Sequence, residues 1–140
     1  MTTPLYTTEI LRLAASLSDP HSLEREDGRA EVRSPTCGSR IMLSVQLDEN
    51  RKVERLSMQV SACAFGQASA ALVEHHSRGR THQEISDAML RLSHWLAEDS
   101  EPRDLWPGIA ALEPARSRQG RHGAILLPFR ALLAAIEAAT

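Results

Sequence analysis

Ser34-Pro35-Thr36-Cys37-Gly38-Ser39-Arg40 opens the stretch whose reading decides the fold. Ile41 to Leu47 follows as an alternating run: Ile41, Leu43, Val45 and Leu47 on one face, Met42, Ser44 and Gln46 on the other. Such alternation is the signature of a half-buried strand. Asp48-Glu49-Asn50 is turn chemistry. Val53 to Val60 alternates again with Leu56, Met58 and Val60 in phase, so the two runs predict an antiparallel hairpin. Past Cys63 the pattern changes to Phe65, Ala68, Ala71 and Leu72, a helix of small residues ending near Gly79. The chain's two cysteines, Cys37 and Cys63, thus bracket the hairpin. One sits in a Pro/Gly turn and the other at a strand-to-helix step. Backbone N–H groups lie free at such places and stabilise a thiolate. Each cysteine also has a plainer reading as a small or buried packing residue.

Working outward, Pro4 to Leu17 is periodic, with Thr7 or Thr8 as cap and Glu9 in the first turn. His21 to Gly28 is a polar loop, and Ala30 to Arg33 a short strand entering the Cys37 turn. On the far side, Thr81 and Glu84 form a capping box. Ile85, Ala88, Met89, Leu92, Trp95 and Leu96 are the apolar stripe of the helix it starts. Ser100 to Arg103 is a loop, Leu105 to Leu112 a short segment broken by Pro107 and Gly108, and Glu113 to His122 a polar, arginine-rich stretch. A last helix is expected over Ala124 to Ala139, because Pro128 is tolerated only in a first turn. The expected class is α+β: one domain over residues 1–140, a small antiparallel three-stranded sheet with helices packed on one face.

Composition narrows the function classes. Hydrophobic residues make up 42% of 140, enough for one core, but aromatics only 4%, so Leu, Ala, Ile and Val must build it. The formal charge of -2 gives no reason to expect nucleic acid or an anionic membrane as partner. No apolar run approaches the roughly 20 residues of a membrane span. Met1 to Tyr6 lacks the pattern of a secretory leader, so a cytoplasmic location is expected. A structural disulfide is not expected there, which leaves a metal half-site or a redox pair for the two cysteines. There is no Gly-x-Ser-x-Gly elbow, no Walker loop and no dinucleotide glycine fingerprint.

Pro35-Thr36-Cys37-Gly38-Ser39 and Ala62-Cys63 followed by Gln67-Ala68-Ser69-Ala70-Ala71 resemble two motifs of the iron–sulfur cluster assembly scaffold family, the IscU/SufU proteins and the N-terminal domain of NifU. The run Arg121-His122-Gly123-Ala124-Ile125-Leu126-Leu127-Pro128-Phe129-Arg130 resembles the third motif, closest to the SufU branch. The longer stretch between Cys63 and this run is another SufU-like feature. The resemblance extends from the first helix to the last. It implies a scaffold or sulfur acceptor rather than an enzyme, with a cysteine desulfurase as partner and zinc or a [2Fe–2S] cluster at the cysteine site. Two positions depart from the pattern: the family's third cysteine falls on Ala124, and its Asp after Cys-Gly falls on Ser39. The implied site is therefore reduced to Cys37 and Cys63, with Cys37 as candidate persulfide acceptor.

His122 lies two residues before Ala124 and is the candidate extra metal ligand; a lone surface histidine is the plainer reading. His75 and His76 point about 100° apart on a helix and do not chelate one ion. Arg116, Arg118 and Arg121 read as a solvated loop or as a dock for an acidic surface. The competing functional expectation is a degenerate homologue that holds no metal and acts as an adaptor or regulator of a desulfurase.

Overall fold

The computed structural model describes residues 6–35, 38–97 and 105–139. Its elements run α1 (Thr8–Ala15), β1 (Gly28–Arg33), β2 (Arg40–Leu47), β3 (Val53–Ser61), α2 (Ala64–His76), α3 (His82–Leu96), a 3-10 helix (Ile109–Ala115) and α4 (Gln119–Ala138). The three strands form one antiparallel sheet in the order β1-β2-β3. Ile41 lies opposite Val32 and Val60, and Leu43 opposite Ala30 and Met58, so the apolar positions share one face. That face is covered by the helices: α4 packs on β1 and β2, α2 on β3 and α4, α1 on α2, and α3 on α4. Ile41, Leu43 and Val45 are fully buried, as are Phe65, Phe129 and Leu132 from the helices above them. The fold is the α+β sandwich expected from the alternating hairpin and the helical stripes.

Local chemistry accounts for the helix starts. Thr7 accepts a hydrogen bond from the Ile10 N–H at 3.1 Å and caps α1. Thr81 and Glu84 close the expected capping box on α3. Trp95 and Trp106 are both core residues. Trp106 stacks edge-on to Phe129 and donates its Nε1–H to the Leu72 carbonyl at 2.9 Å. The Arg80 guanidinium lies 4.2 Å over the Trp106 ring and donates to the His76 carbonyl, closing the C-terminal end of α2.

Three boundaries differ from the sequence reading. Strand β1 begins at Gly28, two residues early. The stretch from Glu113 to His122 is ordered, divided between the 3-10 helix and the start of α4. Helix α4 begins at Gln119, so Pro128 is its tenth residue rather than part of a first turn. Pro128 has no N–H to give the Ala124 carbonyl, and its ring crowds that oxygen. The next carbonyl along, that of Ile125, accepts the Ser69 hydroxyl of α2 at 2.6 Å in a fully buried contact that ties the two helices together beside the proline. The Ser100–Arg103 loop and the Pro4–Leu5 start of the first helix fall outside the described residues.

The polar loop before β1 lies on the face of the sheet that the helices leave open. The His21 N–H donates to the buried Ser57 hydroxyl at 2.8 Å, and the Arg25 N–H to the Gln46 side chain at 3.3 Å. Ser44 bonds the Glu26 carboxylate at 2.6 Å. Half of the outer face is thereby covered by polar bonds instead of apolar packing. Among the described residues no helix is long and apolar enough to cross a membrane.

Candidate thiol site

Cys63 is the N-cap residue of α2, with extended backbone (φ -69, ψ 173) and no side-chain capping bond. Its carbonyl accepts the Gln67 N–H at 2.9 Å and so begins the helix. The thiol is not spent on the cap, and the residue is half-buried. Gln67 steadies this corner by donating its side-chain N–H to the Ala62 carbonyl at 3.0 Å. Sequence reasoning passed over Gln67. The first polar side chain of a helix opened by small and apolar residues was the signal that could have found it.

Thr36 and Cys37 lie outside the described residues, so the Cys37–Cys63 distance is not part of this geometry. The Ser34 N–H donates to the Ser39 carbonyl at 2.8 Å, and the Gly38 N–H to the Ser34 carbonyl at 3.0 Å. These bonds close the β1–β2 turn, with Gly38 in the left-handed region (φ 73). Ser34 and Ser39 are buried, while Pro35 and Gly38 are exposed.

Helix α4 reaches both cysteine-bearing corners through two glycines. A Cβ on Gly123 would lie 2.8 Å from the Ser34 hydroxyl oxygen. A Cβ on Gly66 would lie 2.7 Å from the Ala62 Cβ and 3.3 Å from that of Ala124. The 2.7 and 2.8 Å separations are closer than real Cβ atoms come, so each glycine is what lets a small side chain of the neighbouring segment lie against its backbone. The β1–β2 turn, the start of α2 and residues 123–124 of α4 therefore converge at one end of the molecule. Ala124 is fully buried there, its methyl group against Gly66. Ala124, where the resemblance implies a third thiolate, thus lies beside the helix that Cys63 begins and offers only a methyl group.

His122 sits one residue before this contact. Its Nε2 lies 3.0 Å from the Ala115 carbonyl oxygen and 3.1 Å from that of Arg116. Carbonyls only accept, so Nε2 carries the proton and Nδ1 holds the ring's lone pair. Among the described residues no group of three or more His, Cys, Asp and Glu side chains could hold a metal ion.

The other singled-out residues are engaged elsewhere. Arg116 is a clamp, not a solvated side chain: its Nε donates to the Trp95 carbonyl at 2.9 Å and its guanidinium lies 5.1 Å over the Trp95 ring. His82 pairs with Glu137 at 2.8 Å. His75 is exposed beside Glu74, at 4.0 Å. Burial, then the neighbouring His75 and Arg80, push the His76 pKa below the ordinary imidazole value.

Solved structures share this frame. The N-terminal part of a nitrogen-fixing NifU-like protein from Brucella abortus superposes with a TM-score of 0.86 at 28% identity, covering 96% of this chain and 93% of that one. A protein of Fervidobacterium islandicum AW-1, named as a candidate iron–sulfur cluster assembly scaffold protein for the SUF system, superposes with a TM-score of 0.80 at 19% identity, covering 94% and 96%. No curated protein sequence matches the chain. The model of the NifU-like N-terminal domain matches residues 5–93, which spans the hairpin, both cysteines and the helices α2 and most of α3. With the turn, the α2 start and α4 assembled around the same corner, the chain belongs to the NifU-like N-terminal domain family.

Proposed function

We propose that this chain is a scaffold-like protein of iron–sulfur cluster assembly, accepting sulfur from a cysteine desulfurase at a reduced site made of Cys37 and Cys63. The observation that carries this reading is the kept frame with a thinned ligand set. The turn, the α2 start and α4 meet at one corner as the family fold requires, yet positions 39 and 124 hold a hydroxyl and a methyl group. Its role is that of scaffold and sulfur acceptor, not of an enzyme, and cytoplasmic location fits that role.

Cys37 is the proposed acceptor. Its chain neighbours Pro35 and Gly38 are exposed, whereas Cys63 is followed by the buried Phe65 and Gly66. The Cys37 thiolate attacks the outer sulfur of the donor's persulfide. One S–S bond forms as another breaks, the donor leaves as a thiolate, and the outer sulfur keeps its proton; no external oxidant or reductant enters. A [2Fe–2S] cluster, as cargo, takes four ligands, of which this chain offers two thiolates. The remainder would come from a partner or a second copy, so cluster retention is expected to be weak.

A resident zinc ion would find at most three protein donors here, the Cys37 and Cys63 thiolates and the His122 Nδ1. Structural zinc takes four ligands in tetrahedral array. Here Ala124 has no donor and Ser39 is a neutral buried hydroxyl, while the His122 Nε2 donates to backbone carbonyls and leaves Nδ1 as that ring's one possible ligand atom. The same observation supports a second reading, a metal-free adaptor or regulator of the desulfurase.

Incubation with a cysteine desulfurase and free cysteine, followed by intact-mass and peptide analysis, separates the two. Persulfide on Cys37 that is lost in Cys37→Ser and retained in Cys63→Ser is the expected result. Persulfide on Cys63 alone reverses the assignment. No persulfide with binding to the desulfurase intact favours the adaptor.

A further inference from the structure

The sheet's outer face is covered on one half only. The loop before β1 lies over Ser57, Gln46 and Ser44. Toward the thiol corner the face is open, and its outward positions can be read from the register. Arg33 lies directly opposite Arg40, which lies opposite Ser61; Glu31 lies opposite Met42, which lies opposite Gln59. Arg29 is one step further along β1 on the same face.

Two like charges placed directly across an antiparallel pair are destabilising. Here the two side chains are 69% and 48% exposed, and both reach toward the single Glu31 carboxylate, at 3.3 Å and 3.8 Å. One carboxylate neutralises one guanidinium, so the rung keeps a net positive charge in a chain whose formal charge is -2. Folding gains nothing from the second arginine. Its place is also telling: Arg33 and Arg40 flank the closed Ser34–Ser39 turn, and Cys63 lies two residues past Ser61 of the same rung.

We propose that the Arg33–Arg40 rung, with Arg29 behind it and the half-buried Met42 at its centre, is the docking surface for an acidic segment of the protein that donates sulfur. This rests on the proposed function, since a donor whose persulfide reaches the thiol corner must cover the ground beside it. Arginine suits such an interface because its planar fork binds carboxylates bidentately and its stem packs on apolar neighbours. The patch is too short for the long basic stripe that nucleic acid requires.

The test uses the full chain and the cysteine desulfurase of the same organism as probe, with association followed by surface plasmon resonance. Relative to wild type, Arg33→Gln/Arg40→Gln is expected to lower the association rate about tenfold or more at low salt, the two forms converging near about 0.5 M NaCl. Arg12→Gln, on the exposed side of α1, is the control expected to bind like wild type. Thermal unfolding of Arg33→Gln alone checks the fold. It keeps the Arg40–Glu31 contact and removes the like-charge pair, so its Tm should match or exceed the wild type. Equal association rates and salt dependence in the double variant and wild type overturn the docking surface and leave the functional reading standing. A wild type that does not bind the desulfurase overturns both. If persulfide transfer persists at the wild-type rate in the double variant, the sulfur reading holds and the docking face is wrong.

Discussion

At the residue scale, the site is defined by what two positions no longer supply. Ala124 is buried against Gly66, and Ser39 is buried within a turn closed by its own carbonyl. Neither a methyl group nor a neutral hydroxyl is a good donor to a soft metal. Ala124→Cys together with Ser39→Asp is therefore expected to raise zinc affinity well above that of the wild type, read by competition with a chromophoric chelator. The variant should also lose about 1–3 kcal/mol of stability without metal, because a sulfur is forced into a filled corner and a carboxylate into a buried turn. A double variant with no gain in zinc affinity would show that the corner does not keep the family's ligand geometry. Cys37 and Cys63 were legible as a pair because each stands at a turn or helix start. What their neighbours do was not. Gly66 and Gly123 read as ordinary glycines until α4 is laid across them.

At the scale of elements, the hairpin and α3 followed from local pattern alone. Strict alternation on β2 and β3 fixed the buried face, and Thr81 with Glu84 fixed the start of α3. Helix α4 did not follow, because local preference argues against it. A proline at the tenth position removes a ladder bond and crowds the Ala124 carbonyl. The helix is held by its packing on α2, α3, β1 and β2, and beside the proline Ser69 of α2 bonds the Ile125 carbonyl in a fully buried contact. Ser69→Ala leaves that carbonyl without its partner, and unfolding in urea should show a loss of about 1–3 kcal/mol with an unchanged m-value. Pro128→Ala restores the missing N–H and should recover part of that loss in the Ser69→Ala background. A Ser69→Ala variant as stable as wild type would mean that the buried α2–α4 hydroxyl bond contributes nothing to the fold.

At the scale of the whole molecule, the sheet is closed on two sides by different chemistry. Apolar helices cover the inner face, and the polar loop is stapled across part of the outer one. Asp27 is the main staple: its Oδ2 accepts the Leu47 N–H at 2.7 Å and its Oδ1 accepts the Arg25 Nε–H at 2.8 Å. Arg25 also donates to the Leu47 carbonyl. The Arg25 hydrogen bond, then the Leu47 N–H, hold the Asp27 carboxyl below its ordinary pKa of 3.8. A depressed carboxylate contributes stability that is fully present above the unfolded pKa and is lost as pH falls through the folded one. Chemical unfolding followed from pH 6 downward should therefore show stability falling as the pH drops below about 4. Asp27→Asn should be less stable than wild type at pH 6 and lose less on acidification. An unaltered acid limb in that variant would remove Asp27 from the account.

The sequence by itself determined the class of fold, the β2–β3 hairpin and its buried face, the capped start of α3, and the pair of cysteines at structural punctuation. These are decided within a few residues, by alternation, capping and turn chemistry, so they can be read along the chain. Only the tertiary structure decided where α4 begins, how it carries a proline in mid-course, and that Ala124 lies beside the helix Cys63 begins. It also decided that Arg116 is held by Trp95 and that Arg33 faces Arg40 on an open sheet surface. Each of these depends on atoms brought together from distant parts of the chain. A hydroxyl on α2 satisfies a carbonyl on α4, and a glycine on one element makes room for a side chain of another, which no local pattern can encode.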